Sequence, residues 1–363
     1  MIFQWYLFVL LIAVAIFAAS AKQFYIVEIR GREEYRYGWI PVVIMLIPMI
    51  IAAALRQDTI GDTYAYILRF RNTVPALSAI PELLASEGKD KGFGVVNILL
   101  KIIIGNHYQI YFGIIAAFCL FCVTYIYRKY SCNFAMSMFL FLASSDYIQW
   151  THNGMRQFIA VCMIFAATDW LLKKKYIRYL LVVLLASTIH ATALLMIPIC
   201  FIVQGRGWNL RSVLFTVAVL IAINFSGALS DLIADFMMDT QYSNEVNQFL
   251  ATKGTNVLRV IVFAVPPALA LVFRRYVDTA QYPILDLSVN MSIISMGAYI
   301  VSSVTSGIFI GRIPIYFSLY NYILLPWLVE NVFEKRSQKL VYACIIACYM
   351  YFYHFQVSVS WNL

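Results

Sequence analysis

Ten apolar runs, most of them long enough to cross a bilayer, recur along this chain, and no other feature limits its fold so tightly. They lie at about 39–55, 109–127, 132–148, 157–172, 179–204, 213–229, 258–273, 283–310, 313–332 and 340–355. In hydrocarbon every backbone N–H and C=O must find a partner within its own segment, so apolar runs of about 20 residues become helices. The expected class is an all-α polytopic membrane protein, one integral membrane domain over residues 1–363. Composition agrees: 62% of residues are hydrophobic and only 12% charged, against about a quarter charged in soluble domains. A soluble enzyme, a disordered chain and a disulfide scaffold are thereby excluded. The opening stretch 1–21 ends in the small-residue pattern Ala19-Ser20-Ala21 but lacks a basic start, so it is read as an uncleaved first helix. A shorter run, 93–104, suits a re-entrant or interfacial helix.

The net charge of +9 is read as setting topology and meeting anionic lipid, with no role for nucleic acid. Basic loops stay cytoplasmic. Arg36, Arg128, Lys129, Lys173, Lys174, Lys175 and Arg178 belong on that side, as do Arg206, Arg211, Arg274, Arg275, Lys335, Arg336 and Lys339. The alternation closes only if 179–204 enters and returns, bending near Ser187, Thr188, Ile189 and His190. The expectation is about ten full crossings plus this broken-helix hairpin, with both termini outside. Two extracytoplasmic loops are then substantial: 56–92, and the acidic 230–257 with Asp231, Asp235, Asp239 and Glu245. The seven cysteines fall within or beside apolar runs and are read as packing.

Ionisable groups near hydrocarbon either reach for the interface or line a cavity. Four stand out on the outer face: Arg56, Arg156, His190 and Arg312. Arg56 and Arg312 are equally readable as interfacial anchors. Arg156 follows Gly154 at a helix start, where the positive dipole end disfavours a second positive charge unless an anion is present. His190 reads either as a hydrogen-bonded pin for the bend or as a substrate contact. Three arginines and a histidine from separate parts of the chain jointly favour an anion site, and guanidinium suits phosphate oxygens. A diphosphate on a long lipid tail fits such a place.

In R-Q-D-T-I-G-D-T-Y, Asp58 and Asp62 are four residues apart around Gly61. Either carboxylate could take a proton from a sugar hydroxyl, or cap a helix beginning near Thr63. Tyr64, Tyr66, Tyr147, Trp150, Tyr316 and Tyr320 are candidates for stacking on sugars, against the ordinary reading as membrane aromatics. Asp146 and His152 are read as possible lining residues, with loop solvation as the alternative. The sequence has no P-loop, H-E-x-x-H, G-x-S-x-G or G-x-G-x-x-G pattern.

The succession L-R-Q-D-T-I-G-D-T-Y-A-Y (55–66), K-G-F (91–93), N-G-M-R-Q-F-I-A (153–160), K-K-K (173–175) and A-S-T-I-H-A-T-A-L (186–194) resembles the EpsG-like branch of the Wzy polysaccharide polymerases, over about residues 40 to 330. The resemblance implies a GT-C-like helical enzyme of the bacterial inner membrane. Such an enzyme joins oligosaccharide repeat units carried on undecaprenyl pyrophosphate, at the periplasmic face. By motif position it implies roles for Arg56, Asp62, Arg156 with Gln157, and His190, with Arg312 carried over on less diagnostic surroundings. The family often has Glu-Pro-Gly-Phe where this chain has Asp90-Lys91-Gly92-Phe93. On this reading Asp62 or His190 is the base, and Arg56, Arg156 and Arg312 meet the diphosphate. No metal or cofactor is expected, and a chain-length regulator is a possible partner. The alternative from another class is a lipid-linked oligosaccharide flippase or transporter, for which charged residues would spread through the midplane. An O-acyltransferase with His190 as base is a third.

Overall fold

The computed structural model describes residues 24–29, 32–88, 90–225, 227, 230, 234, 246–251 and 254–360. The first predicted helix, 1–21, and the acidic residues Asp231, Asp235, Asp239 and Glu245 lie outside them. The chain forms two compact units, one running to Leu195 and taking in Ile345–Leu363, the other Met196–Cys344.

The first unit departs from the all-α expectation at its start. β1 (Phe24–Ile29) and β2 (Arg32–Tyr37) pair antiparallel as a hairpin. α1 (Trp39–Ala54) follows and packs along α5 (Tyr108–Tyr130). Between them the loop 56–92 is built from α2 (Thr63–Arg71) and α3 (Ala79–Ala85), and the predicted short helix appears as α4 (Lys91–Ile104). Then come α6 (Phe134–Ala143), α7 (Asp146–His152), α8 (Met155–Ala166), α9 (Thr168–Leu172) and α10 (Tyr176–Ile189).

In the second unit, α11 (Met196–Ile202), α12 (Leu210–Asn224) and the short α13 (Val246–Ala251) precede α14 (Val257–Val272) and α15 (Arg274–Ala280). α16 (Pro283–Val304) is its central helix, packed against α12, α14 and α18 (Asn321–Val332). α17 (Ile315–Ser318) completes this unit together with the first part of α19 (Lys335–Phe355), whose residues from Ile345 on belong to the first unit.

Several runs that are continuous in sequence are broken in space. Ser145, in the left-handed region at φ 66°, divides 132–148 into α6 and α7. Ala167 separates α8 from α9, and α14 meets α15 at a 74° bend. The predicted break in 179–204 falls at His190, whose extended backbone (φ −154°, ψ 118°) ends α10 before a 3-10 turn, Ala191–Leu195. Three described helices are long and apolar enough to span a bilayer, or four with the bent pair, and six more are apolar over 10–17 residues.

Their surfaces identify the solvent. On α1 the residues turned outward are Ile40, Ile44, Ile47 and Ile51, all about half exposed or more, while Val42, Met45, Met49 and Ala53 are buried behind them. α10 repeats this with Ile177, Leu181, Leu184 and Leu185. A helix apolar on its outer face as well as its inner one belongs in lipid. At 1.5 Å per residue the 23 residues of α5 span about 34 Å, the thickness of a hydrocarbon core.

The two ends of α5 differ in chemistry. At its C-terminal end Arg36 donates to the Ser131 carbonyl at 2.9 Å and Arg128 Nε to that of Tyr37 at 2.5 Å. Beside them Asp169, which precedes the Lys173–Lys175 run, is paired with Lys129 and accepts from the Tyr130 and Tyr125 hydroxyls. Basic segments assigned to one membrane side thus meet at one end.

Candidate functional site

The other end of α5 carries the loop that begins at Arg56. Arg56 is buried, and its guanidinium donates to the Thr151 carbonyl, lies 3.5 Å above the centre of the Phe112 ring and 3.5 Å from the Met155 sulfur. Thr151 and His152 form the last turn of α7, where helix carbonyls lack intrahelical partners and a positive charge is favoured. Asp62 N–H takes the next carbonyl, that of His152, at 3.1 Å. Gly61, at φ +53°, fits there because a Cβ on it would lie 3.0 Å from the same oxygen. The Arg56–Asp62 loop is therefore fastened to the T-H-N-G segment by two hydrogen bonds, one from the Arg56 side chain and one from the Asp62 backbone, with Gly61 in close approach between them.

Asp62 stands at the start of α2, but its side chain makes no capping bond and is exposed. The capping interpretation is thus not the one the chain uses. Tyr66, one turn further, is buried. Burial raises its phenol pKa, partly offset by the charge of Arg156 and a hydrogen bond from it.

Arg156 is the second residue of α8, and the anion its position demands is Asp90, whose carboxylate lies 2.5 Å from the guanidinium. Asp62 and Tyr66 also act electrostatically on Arg156. Asp90 sits at the start of α4 with φ 57° and makes no side-chain cap. The sequence alone assigns Asp90 no site role. The signal that finds it is the unfavourable cation at a helix start, which points to a carboxylate but not to which one.

His190 closes the group through α4. A Cβ on Gly92 would meet Thr188 Oγ1 at 2.2 Å, so α4 and the end of α10 touch backbone to side chain there. His190 follows two residues later with Nδ1 bonded to Thr192 Oγ1 at 2.7 Å.

Arg56, Asp62, Arg156 and the His190 corner thus belong to one end of the first unit. Asp58 and Tyr64 are exposed on the same loop, while Gln157 is buried beside Arg156. Asp146 and His152 are not solvated loop residues: both are fully buried within α7, His152 Nδ1 meeting the Ile148 carbonyl at 2.9 Å. Of the aromatics named for sugar stacking, Tyr66, Tyr147, Trp150, Tyr316 and Tyr320 are core and only Tyr64 is exposed. Tyr147, for example, donates to the Met49 carbonyl at 2.7 Å. Arg312 lies in the second unit, in the 3-10 turn Ile310–Arg312.

No curated protein and no solved structure matches the chain. The family model that does match, described as the EpsG family, covers residues 39–362, from the first residue of α1 to the last residue but one, and includes every residue of this site. A membrane-helical chain whose loop, helix-start and bend motifs assemble at one end, and which that model matches over nearly its full length, belongs to the EpsG family.

Proposed function

We propose that this protein is an oligosaccharide repeat-unit polymerase that transfers a growing glycan from undecaprenyl pyrophosphate to a lipid-linked repeat unit at the extracytoplasmic face of the bacterial inner membrane. Membership in a family of exopolysaccharide polymerase type supports the reading. One observation carries it further: Arg56, Arg156, Asp62 and Asp90 gather about 28 Å along α5 from its basic end, counting the helical rise from Phe112 to Ser131. Assigning the end with Arg36, Arg128, Lys129 and the Lys173–Lys175 run to the cytoplasm, as the sequence pattern does, turns this group outward in the proposal, where a diphosphate headgroup sits while its prenyl chain remains in lipid.

In this reaction a hydroxyl of the incoming repeat unit attacks the anomeric carbon of the growing glycan. The bond from that carbon to the diphosphate oxygen breaks, its electron pair leaves with undecaprenyl pyrophosphate, and the hydroxyl proton passes to Asp62 or His190. Asp62 suits the base role because its carboxylate is exposed at a fixed helix start. Arg156, with Arg56, stabilises charge growing on the departing diphosphate, so that no metal is required. Arg56 also holds the α7–α8 turn from which Arg156 projects.

The test is reconstitution with a purified lipid-linked repeat unit. The reading predicts chain elongation without ATP or nucleotide sugar. Translocation of the lipid without a new glycosidic bond would show a flippase instead.

A further inference from the structure

Tyr66 and Arg69 stand one turn apart on α2, and both rest on Phe93 of α4. The Tyr66 and Phe93 ring centres are 6.1 Å apart, edge to face, and the Arg69 guanidinium carbon is 5.4 Å from the Phe93 centre. Arg156 reaches the same place from α8, hydrogen-bonding Tyr66 and closing on Asp90 at 2.5 Å. Two guanidinium groups, from separate helices, therefore share the neighbourhood of one phenol and one carboxylate. They feel each other: burial first, and then the like charge of Arg156, lower the pKa of Arg69. Arg71 and Lys101 add positive charge on the flank, Arg71 lying 5.1 Å from the Tyr108 ring centre. Lys101 is buried, with its ammonium on the Phe70 and Arg71 carbonyls.

The cations gathered here, Arg69, Arg156, Arg71 and Lys101, outnumber the two carboxylates, Asp90 and Asp62, that act on them. A diphosphate presents several charged oxygens, each matched to the planar fork of a guanidinium. Asp90 enters the cluster from a helix start, at φ 57°, and its carboxylate occupies the Arg156 guanidinium that a phosphate oxygen would also seek. Arg69, unlike Arg56, is exposed to an entering ligand.

We propose that Arg69 is a second phosphate-binding guanidinium, forming with Arg156 and the Tyr66 hydroxyl a seat for the diphosphate of the lipid-linked substrate, and that Asp90 is the internal counter-ion which fills this seat until the diphosphate displaces it. The identity of the lipid rests on the polymerase reading above; the anion seat is tested separately.

The probe is inorganic pyrophosphate, titrated calorimetrically into the purified full-length chain in detergent, with inorganic phosphate as the weaker-binding comparison. Arg69→Ala should weaken pyrophosphate binding by about tenfold or more, the usual effect of removing one charge-assisted hydrogen bond. Arg69→Lys should retain part of it. Asp90→Asn should tighten binding several-fold, because the competing carboxylate is gone. A purely structural Asp90 gives the opposite sign or no change, and the near-isosteric Asp90→Asn and Arg69→Lys carry the test if Arg69→Ala does not fold. In elongation assays Arg69→Ala should raise the KM for the lipid donor more than it lowers kcat. Unchanged pyrophosphate binding in both Arg69 variants, or weakened binding in Asp90→Asn, overturns the proposal even if the wild type elongates glycan. The predicted binding pattern in a protein that never elongates glycan leaves the seat standing and removes the polymerase reading alone.

Discussion

Gly92→Ala tests the contact that joins the two halves of the candidate site. In most helices this exchange is stabilising by up to about 1 kcal/mol, since alanine loses less backbone entropy. Here the new Cβ would lie 2.2 Å from Thr188 Oγ1, 2.8 Å from Thr188 Cβ and 2.9 Å from Thr188 carbonyl carbon. Rotating the threonine removes only the first clash. Against ordinary contact at roughly 3.4 Å, the start of α4 must still move by about half an ångström from the end of α10. Overpacking of this kind costs about 1–3 kcal/mol, which outweighs the propensity gain, so the variant should be destabilised. The movement also falls two residues from Asp90 and against the segment leading into His190. Because a misplacement near 1 Å can cost about a hundredfold in rate, elongation should drop by about tenfold or more. The assays are the thermal transition of the purified protein, followed by fluorescence-detected gel filtration, and elongation of a lipid-linked repeat unit by the folded fraction. Thr188→Gly in the Gly92→Ala background removes the two closest atoms and should recover part of both losses. Wild-type stability and rate in Gly92→Ala would refute this account of how α4 meets α10.

Other substitutions separate holding from chemistry. Arg56→Ala removes a charge-assisted bond to Thr151 and a stacked contact on Phe112, together about 3–5 kcal/mol, so it should lower the yield of folded protein, with Arg56→Lys intermediate in gel filtration. Asp62→Asn keeps the loop because only the backbone of Asp62 bonds to His152; folding should match wild type, and elongation should fall if Asp62 is the base. Burial, and after it the charge of Arg56, holds the His152 imidazole down at about 3. The unfolded chain, with an ordinary histidine near 6.5, binds the extra proton between those values. The corresponding stability is therefore complete above about pH 6.5 and declines as pH falls from 6.5 toward 3. His152→Gln should flatten that slope in melting curves recorded across the range.

Much of this arrangement was legible in the residues. Apolar runs locate α1, α5, α10 and α16, and the helix break at His190 lies where basic flanks on both sides of 179–204 call for an interruption. Arg156 was found because a cation at a helix start calls for an anion. Its partner was not, since the helix-start argument calls for an anion without saying which of the loop's carboxylates, Asp58, Asp62 or Asp90, the fold brings to it. The hairpin Phe24–Tyr37 was hidden because its charged residues read as a basic cytoplasmic turn. Tyr147 and Trp150 looked like interfacial aromatics, yet α7 buries them; composition does not tell a membrane belt from a core. Hydropathy likewise passes over Ser145, whose left-handed backbone breaks an otherwise uniform run.

The most direct measurement is elongation by wild-type and Arg156→Ala protein, each inserted in liposomes and supplied only with purified lipid-linked repeat unit. The account predicts polymer ladders from the wild type and none from an equally well inserted variant. Ladders of wild-type length from Arg156→Ala, or none from either protein while the lipid is moved across the bilayer, would contradict it.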